Sequence, residues 1–266
     1  VSGEAIVDAW SAAFADMFGA YARRRVGRAF RAVRLVRGGV AGFAAVAREP
    51  GPAMIVMNHT SWWDPMIVLA LRRELFRARS LLIPMDRASL ERFRFLRRCG
   101  FFGIDPDDPA ALRGMDELVT RRLAERPRLT IGLTPQGRFV DVRDRVEPRP
   151  GAAALLARHP PMRAWTLAVE YGFWLDPRPE IFLRLEEIEA PAARSTSAWQ
   201  RRLAEAMESN HRALEAAVRG RDPGPFESVF ERRAASHPVY DLWQRLRGRS
   251  AVIEVAHRAP RGNPVP

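Results

Sequence analysis

The segment AMIVMNHTSWWDPMIVLAL, residues 53–71, changes its period at its centre. Its first five residues are apolar without alternation, the pattern of a strand buried on both faces. From about residue 62 to 73 the pattern is helical; Pro65 suits a first turn, and Thr60 or Ser61 can cap it. Asn58 and His59 therefore emerge where a sheet hands over to a loop. In open α/β sheets, ligands bind beyond the carboxyl ends of the strands. Asp64 follows His59 by five positions and is expected about one turn inside the helix, near the imidazole. A carboxylate on one ring nitrogen fixes the tautomer and makes the other nitrogen more basic.

That pair is the acid–base half of a hydrolase triad, with no nucleophile attached. The chain contains no G-x-S-x-G, and Ser61 is too close along the backbone to be presented as an elbow serine. A base without its own nucleophile deprotonates something brought to it, such as a substrate hydroxyl.

Working outward, the short apolar runs AMIVM, SLLIPM, FFGI, RLTIGL, AWTLAVEY and EIFLRLEEI read as strands. Helical patterns near 88–98, 109–126 and 151–158 lie between them. This alternation predicts an α/β fold, a mixed sheet covered by helices. Residues 4–37 carry apolar positions at three- and four-residue steps, with arginines 23–25, 28, 31, 34 and 37 in the second half. They read as amphipathic helices, either docked on the core or lying in a lipid interface. Trp199, Leu203, Met207, His211, Leu214 and Val218 mark a helical packing stripe, and RDPGP ends that helix. PVYDLWQRLRG reads as a last short helix. The expected divisions are 1–48, N-terminal amphipathic helices; 49–192, α/β core; 193–256, C-terminal helices; and 257–266, a fraying tail.

Apolar residues make up 47% of the 266, enough for a substantial core. Cys99 is the only cysteine, which excludes an internal disulfide, and RFLRRCGFF places it at a buried helix end rather than in a reactive setting. All 43 basic residues are arginine, against 31 acidic residues, a net charge of +12. Such a surplus calls for polyanionic company: nucleic acid, anionic lipid or phosphorylated ligands. No helix-turn-helix or RNA-binding motif accompanies it, so nucleic acid is not the expected partner. No stretch approaches the ~20 apolar residues of a spanning helix, and no signal-peptide pattern opens the chain. The expected location is cytoplasmic, free or on a membrane surface.

A second stretch, LTIGLTPQGRFVDVRDR (129–145), leads from a strand into Pro135-Gln136-Gly137-Arg138. Gly137 lets backbone N–H groups approach an anion, and Arg138 can fork onto a phosphate.

With NHTSWWD, this stretch resembles the glycerolipid (lysophosphatidic acid) acyltransferases. Their first block reads Asn-His-x-Ser-x-x-Asp and their third Pro-Glu-Gly-Thr-Arg. GFFGID (100–105) is similar to the second block and AWTLAVEYGFW (164–174) to the fourth. The blocks occur in family order across about residues 50–190. There are departures: Gln136 stands where the family has Glu, Arg138 where it has Thr, Pro106 for the second-block arginine, and Thr166 for the fourth-block proline.

The resemblance implies acyl transfer from acyl-CoA or acyl carrier protein to a lipid hydroxyl, most simply lysophosphatidic acid to phosphatidic acid. His59 is then the general base, oriented by Asp64. Asn58, Gln136, Gly137 and Arg138 are the expected substrate-binding residues, Asn58 also bracing the loop. Amides around Gly137 are the expected oxyanion donors, and Arg143 and Arg145 are further headgroup candidates. Trp62 and Trp63 are candidates for an acyl-pocket wall or for core packing. Neither a metal nor a redox cofactor is required. The edited third block leaves open a non-phosphorylated acceptor, and a non-enzymatic basic membrane- or nucleic-acid-binding protein is the remaining alternative. The implied partners are a lipid acceptor, the anionic inner face of the cell membrane, where the protein would sit peripherally, and, where it is the donor, acyl carrier protein.

Overall fold

Ala53–Met57 forms a strand whose five residues are all buried, as a strand covered by helices on both faces must be. The computed structural model describes residues 7–105, 108–174 and 176–231. In chain order it contains α1 (Ala12–Ala29), β1 (Ala32–Val36), α2 (Gly39–Arg48), β2 (Ala53–Met57), α3 (Asp64–Leu75) and β3 (Ser80–Asp86). Then follow α4 (Arg87–Arg92), a 3₁₀ turn, β4 (Phe101–Ile104), α5 (Pro109–Glu125) and β5 (Leu129–Leu133). The described chain ends with α6 (Gly151–Arg158), β6 (Arg163–Gly172), β7 (Glu180–Ile188), α7 (Thr196–Arg219) and β8 (Phe226–Glu231).

The eight strands form one sheet in the order β4-β3-β5-β2-β6-β7-β1-β8. The first five are mutually parallel. β7 runs antiparallel to β6, β1 lies parallel to β7, and β8 closes the edge antiparallel to β1. The sheet is mixed, as expected.

Strand parity divides the core in two. Ile55, Met57, Trp165, Leu167 and Val169 pack with Val26 of α1, Phe43 of α2 and Leu71 of α3. Met54, Val56, Ile131 and Ala164 face the other way, against Val119 of α5, Leu156 of α6, and Leu203 and Met207 of α7. All six residues of the α7 stripe are buried. Each large aliphatic side chain so removed from water contributes roughly 1.5–3 kcal/mol.

The helical reading of residues 4–37 is corrected beyond Ala29, where a strand follows. The serine at position 11 caps α1, which stops at Phe30, where the backbone becomes extended. Small buried residues, Ala15, Gly19 and Ala22, seat α1 on α3. A Cβ at Gly19 would lie 3.1 Å from Arg73 Cβ and from the Leu69 carbonyl oxygen. Beyond Phe30 the alternation of Val33 and Leu35 with Arg34 prevails, because the edge of β7 offers a ladder that solvent does not. Arg31 and Arg34 therefore leave the supposed arginine face and pair with Asp176, Glu180 and Glu231. β8, unforeseen in the sequence, pairs with β1 on its other side. Consequently the divisions near 48 and 192 cut through one sheet. The short helix expected in PVYDLWQRLRG, the tail 257–266 and Pro106 lie outside the described residues. No helix among the described residues is long and apolar enough to cross a membrane.

Candidate active site

β2 ends at Met57, opposite Leu167 of β6. β6 continues to Gly172, so its last residues overhang the sheet where β2 has turned away. The Asn58 side chain fills that gap as a strand residue would. Its Nδ2 donates to the Val169 carbonyl and its Oδ1 accepts from the Val169 amide, both at 2.8 Å. Asn58 is 4% exposed. It braces the loop, with both ends of its amide engaged by the strand.

His59 comes next, clamped through its backbone. Its amide donates to Gln136 Oε1 (3.2 Å), and its carbonyl accepts from the Val140 amide (2.9 Å). The expected third block is thus fastened to the first. Gln136 is buried, and its Oε1 is engaged in this link.

His59 Nδ1 lies 2.6 Å from Asp64 Oδ2. The same oxygen accepts from the amides of Thr60 (3.1 Å) and Ser61 (3.2 Å), so the carboxylate folds the loop back on itself. Asp64 is the first residue of α3, not a turn inside it. A carboxylate there meets the positive end of the helix dipole. Neither Thr60 nor Ser61 caps the helix; Ser61 Oγ accepts instead from the Trp63 amide at 3.1 Å.

Because an ionised carboxylate only accepts, Nδ1 carries the proton and Nε2 the lone pair. Nε2 has no protein partner among the described residues, and the His59 side chain is 21% exposed. The ring is held from one side and open on the other. Phe139 rests against it at 4.1 Å between centroids, a contact the sequence reading missed.

The reading also missed Tyr171. Its hydroxyl donates to Asp64 Oδ1 at 2.5 Å. Burial, then the Asp64 charge, push the phenol well above its usual range, so it remains a neutral donor. The only signal was position, a tyrosine at the overhanging end of the strand beside β2.

In the third block Gly137 has φ +68°, and Arg149 Nε lies 3.2 Å from where a Cβ would sit. The positive φ favours glycine there, whereas the Arg149 side chain could move aside. The Gly137 amide donates to the Thr134 carbonyl (3.0 Å), which removes it as an oxyanion donor. Arg138 is exposed with no side-chain partner among the described residues. Arg143 and Arg145 are exposed on the same loop. Arg149, whose amide donates to the Pro135 carbonyl at 2.7 Å, joins them. Thr166, in the proline position of the fourth block, is buried and accepts from Asn210 at 3.0 Å.

The two tryptophans separate. Trp63 packs edge-on against Phe30, whereas Trp62 is 64% exposed beside the site. Neither lines the apolar slot beneath β2, which is formed by residues including Phe43, Met57, Val68, Leu71 and Phe76. That slot, about 20 Å³, has space for little more than one water. A larger recess of about 740 Å³ opens at the opposite end of the strands, among Arg72, Arg77, Arg79, Arg126 and Arg128, remote from His59.

Residues 43–167 match the family model described as Acyltransferase. The match takes in the His59–Asp64 pair and the Gln136-Gly137 turn. The fold is similar to the crystal structure of PlsC, the 1-acyl-sn-glycerophosphate (LPA) acyltransferase from Thermotoga maritima. That likeness has a TM-score of 0.52 at 16% identity, over 76% of this chain and 79% of that one. A search of curated proteins found no match. The matched domain, the order of the blocks and the shared fold agree: residues 43–167 are similar to the Acyltransferase family, on a fold like that of PlsC.

Proposed function

We propose that the protein transfers a fatty acyl group from a thioester, acyl-CoA or acyl carrier protein, to the hydroxyl of a lysophospholipid. The simplest case converts lysophosphatidic acid to phosphatidic acid. One observation carries this reading: an imidazole bonded to a carboxylate through Nδ1 while Nε2 stays unpartnered and accessible. Nε2 takes the proton of the acceptor hydroxyl as its oxygen attacks the thioester carbonyl. The imidazolium so formed is stabilised by Asp64. Collapse of the tetrahedral intermediate breaks the C–S bond, and the thiolate leaves with the proton from His59. The amides of Arg138 and Phe139, which make no protein hydrogen bond among the described residues, replace Gly137 as candidate oxyanion donors. Arg138 is the free guanidinium nearest in sequence for an acceptor phosphate, with Arg143 and Arg145 on the same loop.

Attachment to an anionic membrane face is part of the same reading. On α1, Met17 and Tyr21 are 60% and 50% exposed, and the exposed Arg24, Arg25 and Arg28 continue their side of the helix. Apolar groups beside arginines suit a headgroup layer. Removing residues 1–38 would destroy β1 and the sheet, so Tyr21→Ser with Arg24→Glu is the appropriate probe in vesicle sedimentation.

Thiol release from acyl-CoA, followed with a panel of lyso acceptors for wild type and His59→Ala, tests the chemistry. His59→Ala is expected to lower turnover about 10²–10⁴-fold while the fold persists. Unchanged turnover overturns the reading. Reaction only with acceptors lacking phosphate overturns the choice of acceptor and leaves the base in place.

A further inference from the structure

Asp64 accepts four hydrogen bonds, distributed unequally. Three donors, His59 Nδ1 and the amides of Thr60 and Ser61, converge on Oδ2. Oδ1 has one donor among the described residues, the Tyr171 hydroxyl. The two amides belong to the loop that the carboxylate itself organises, so they move with it. Tyr171 belongs to the sheet. Its strand is fixed by the antiparallel ladder to β7, where Tyr171 pairs with Ile181, and by the double bond of Asn58 to Val169. Its ring packs against Phe30, with centroids 5.8 Å apart.

We infer that Tyr171 is a positioning residue of the acyl-transfer site. Its hydroxyl fixes the rotation of the Asp64 carboxylate, and so the direction in which His59 presents Nε2. The inference rests on the general-base reading of His59. Without a donor on Oδ1 the carboxylate can turn about its Cβ–Cγ bond, sharing its oxygens among the loop amides and solvent. His59 would then keep a carboxylate neighbour but lose a defined orientation. Only a protonated phenol can serve, since a phenolate would repel the carboxylate it should hold. A neutral donor on Oδ1 also draws off part of the negative charge that His59 feels.

Two consequences follow for Tyr171→Phe, which keeps the ring and its packing. Turnover falls about 10-fold at unchanged acceptor KM, the scale for a group that orients a histidine–carboxylate pair from outside it. The ascending limb of the kcat–pH profile moves to higher pH, because an imidazolium facing a less neutralised carboxylate holds its proton longer. A ring that merely filled space would leave that limb where it is.

The experiment measures kcat, KM and the pH profile for wild type, Tyr171→Phe and His59→Ala, with thermal unfolding of each. A folded Tyr171→Phe whose kcat and profile coincide with wild type, while His59→Ala is inactive, overturns the inference alone. A fully active His59→Ala overturns the general-base reading instead. Should Tyr171→Phe fail to fold, a fluorinated, more acidic tyrosine at position 171 retains the shape and the hydroxyl. As a stronger neutral donor to Asp64 it should move the ascending limb to lower pH than wild type, opposite to Tyr171→Phe; superimposable profiles overturn the inference.

Discussion

Asn58 and Val169 exchange two hydrogen bonds of 2.8 Å, one in each direction, across the point where β2 leaves the sheet. A side chain here completes a backbone ladder and thereby fixes where His59 starts. Asn58→Ala leaves the amide and carbonyl of Val169 buried without partners. The expected loss of stability is about 2–4 kcal/mol, measurable by urea denaturation, with turnover falling in the residual folded protein. Asn58→Asp keeps only the acceptor and sets a carboxylate against a carbonyl, so it should rescue neither quantity.

Asp64→Asn preserves the shape of the side chain and removes its charge. The imidazolium that forms when His59 takes a proton then faces a neutral amide. Expected is a drop in kcat of about 10²–10⁴-fold with acceptor KM little changed and an intact circular dichroism spectrum. Retained kcat would mean that the 2.6 Å contact is only structural.

Arg79 is 0% exposed and ties the amino-terminal ends of the strands together. Its guanidinium donates to Thr130 Oγ1 and to the carbonyls of Glu49, Gly51 and Leu129. Burial, with a smaller contribution from Arg128, lowers its pKa to about 10. Arg79→Met should cost about 3–5 kcal/mol. Arg79→Lys should recover only part, because an ammonium cannot span the same acceptors. Full stability of the lysine variant in denaturation would show that the fork geometry is immaterial.

Cys99 is buried, which pushes its thiol from 9.0 up to about 12. In the unfolded chain the thiol ionises near the lower value, so between the two the native state holds the extra proton. The stabilisation is therefore complete below pH 9.0 and is lost as pH rises toward about 12. Iodoacetamide at about pH 8 should label the native protein only as fast as it opens, and label it fully in denaturant. Rapid native labelling would contradict the burial.

The features legible before any folding are local in origin. The unbroken apolar run of β2, the helical pattern after Pro65 and the five-residue step from His59 to Asp64 all lie within one short segment. A strand end and a helix start a few residues apart leave those two side chains little choice but to meet. Cys99 and the α7 stripe were legible for the same reason, since burial at helical spacing is written in neighbouring positions.

Tertiary structure decided the rest. Tyr171 meets Asp64 across 107 positions, because β6 outruns β2 in a register no local pattern specifies. Likewise, Val33 and Leu35 suit a helix or a strand equally until β7 supplies an edge to pair with. The Gly137 amide was spent on Thr134 by a turn whose geometry the residue types permit without requiring. Short-range periodicity fixes what a segment can be; only the pairing of distant segments fixes which polar groups are satisfied and which remain for chemistry.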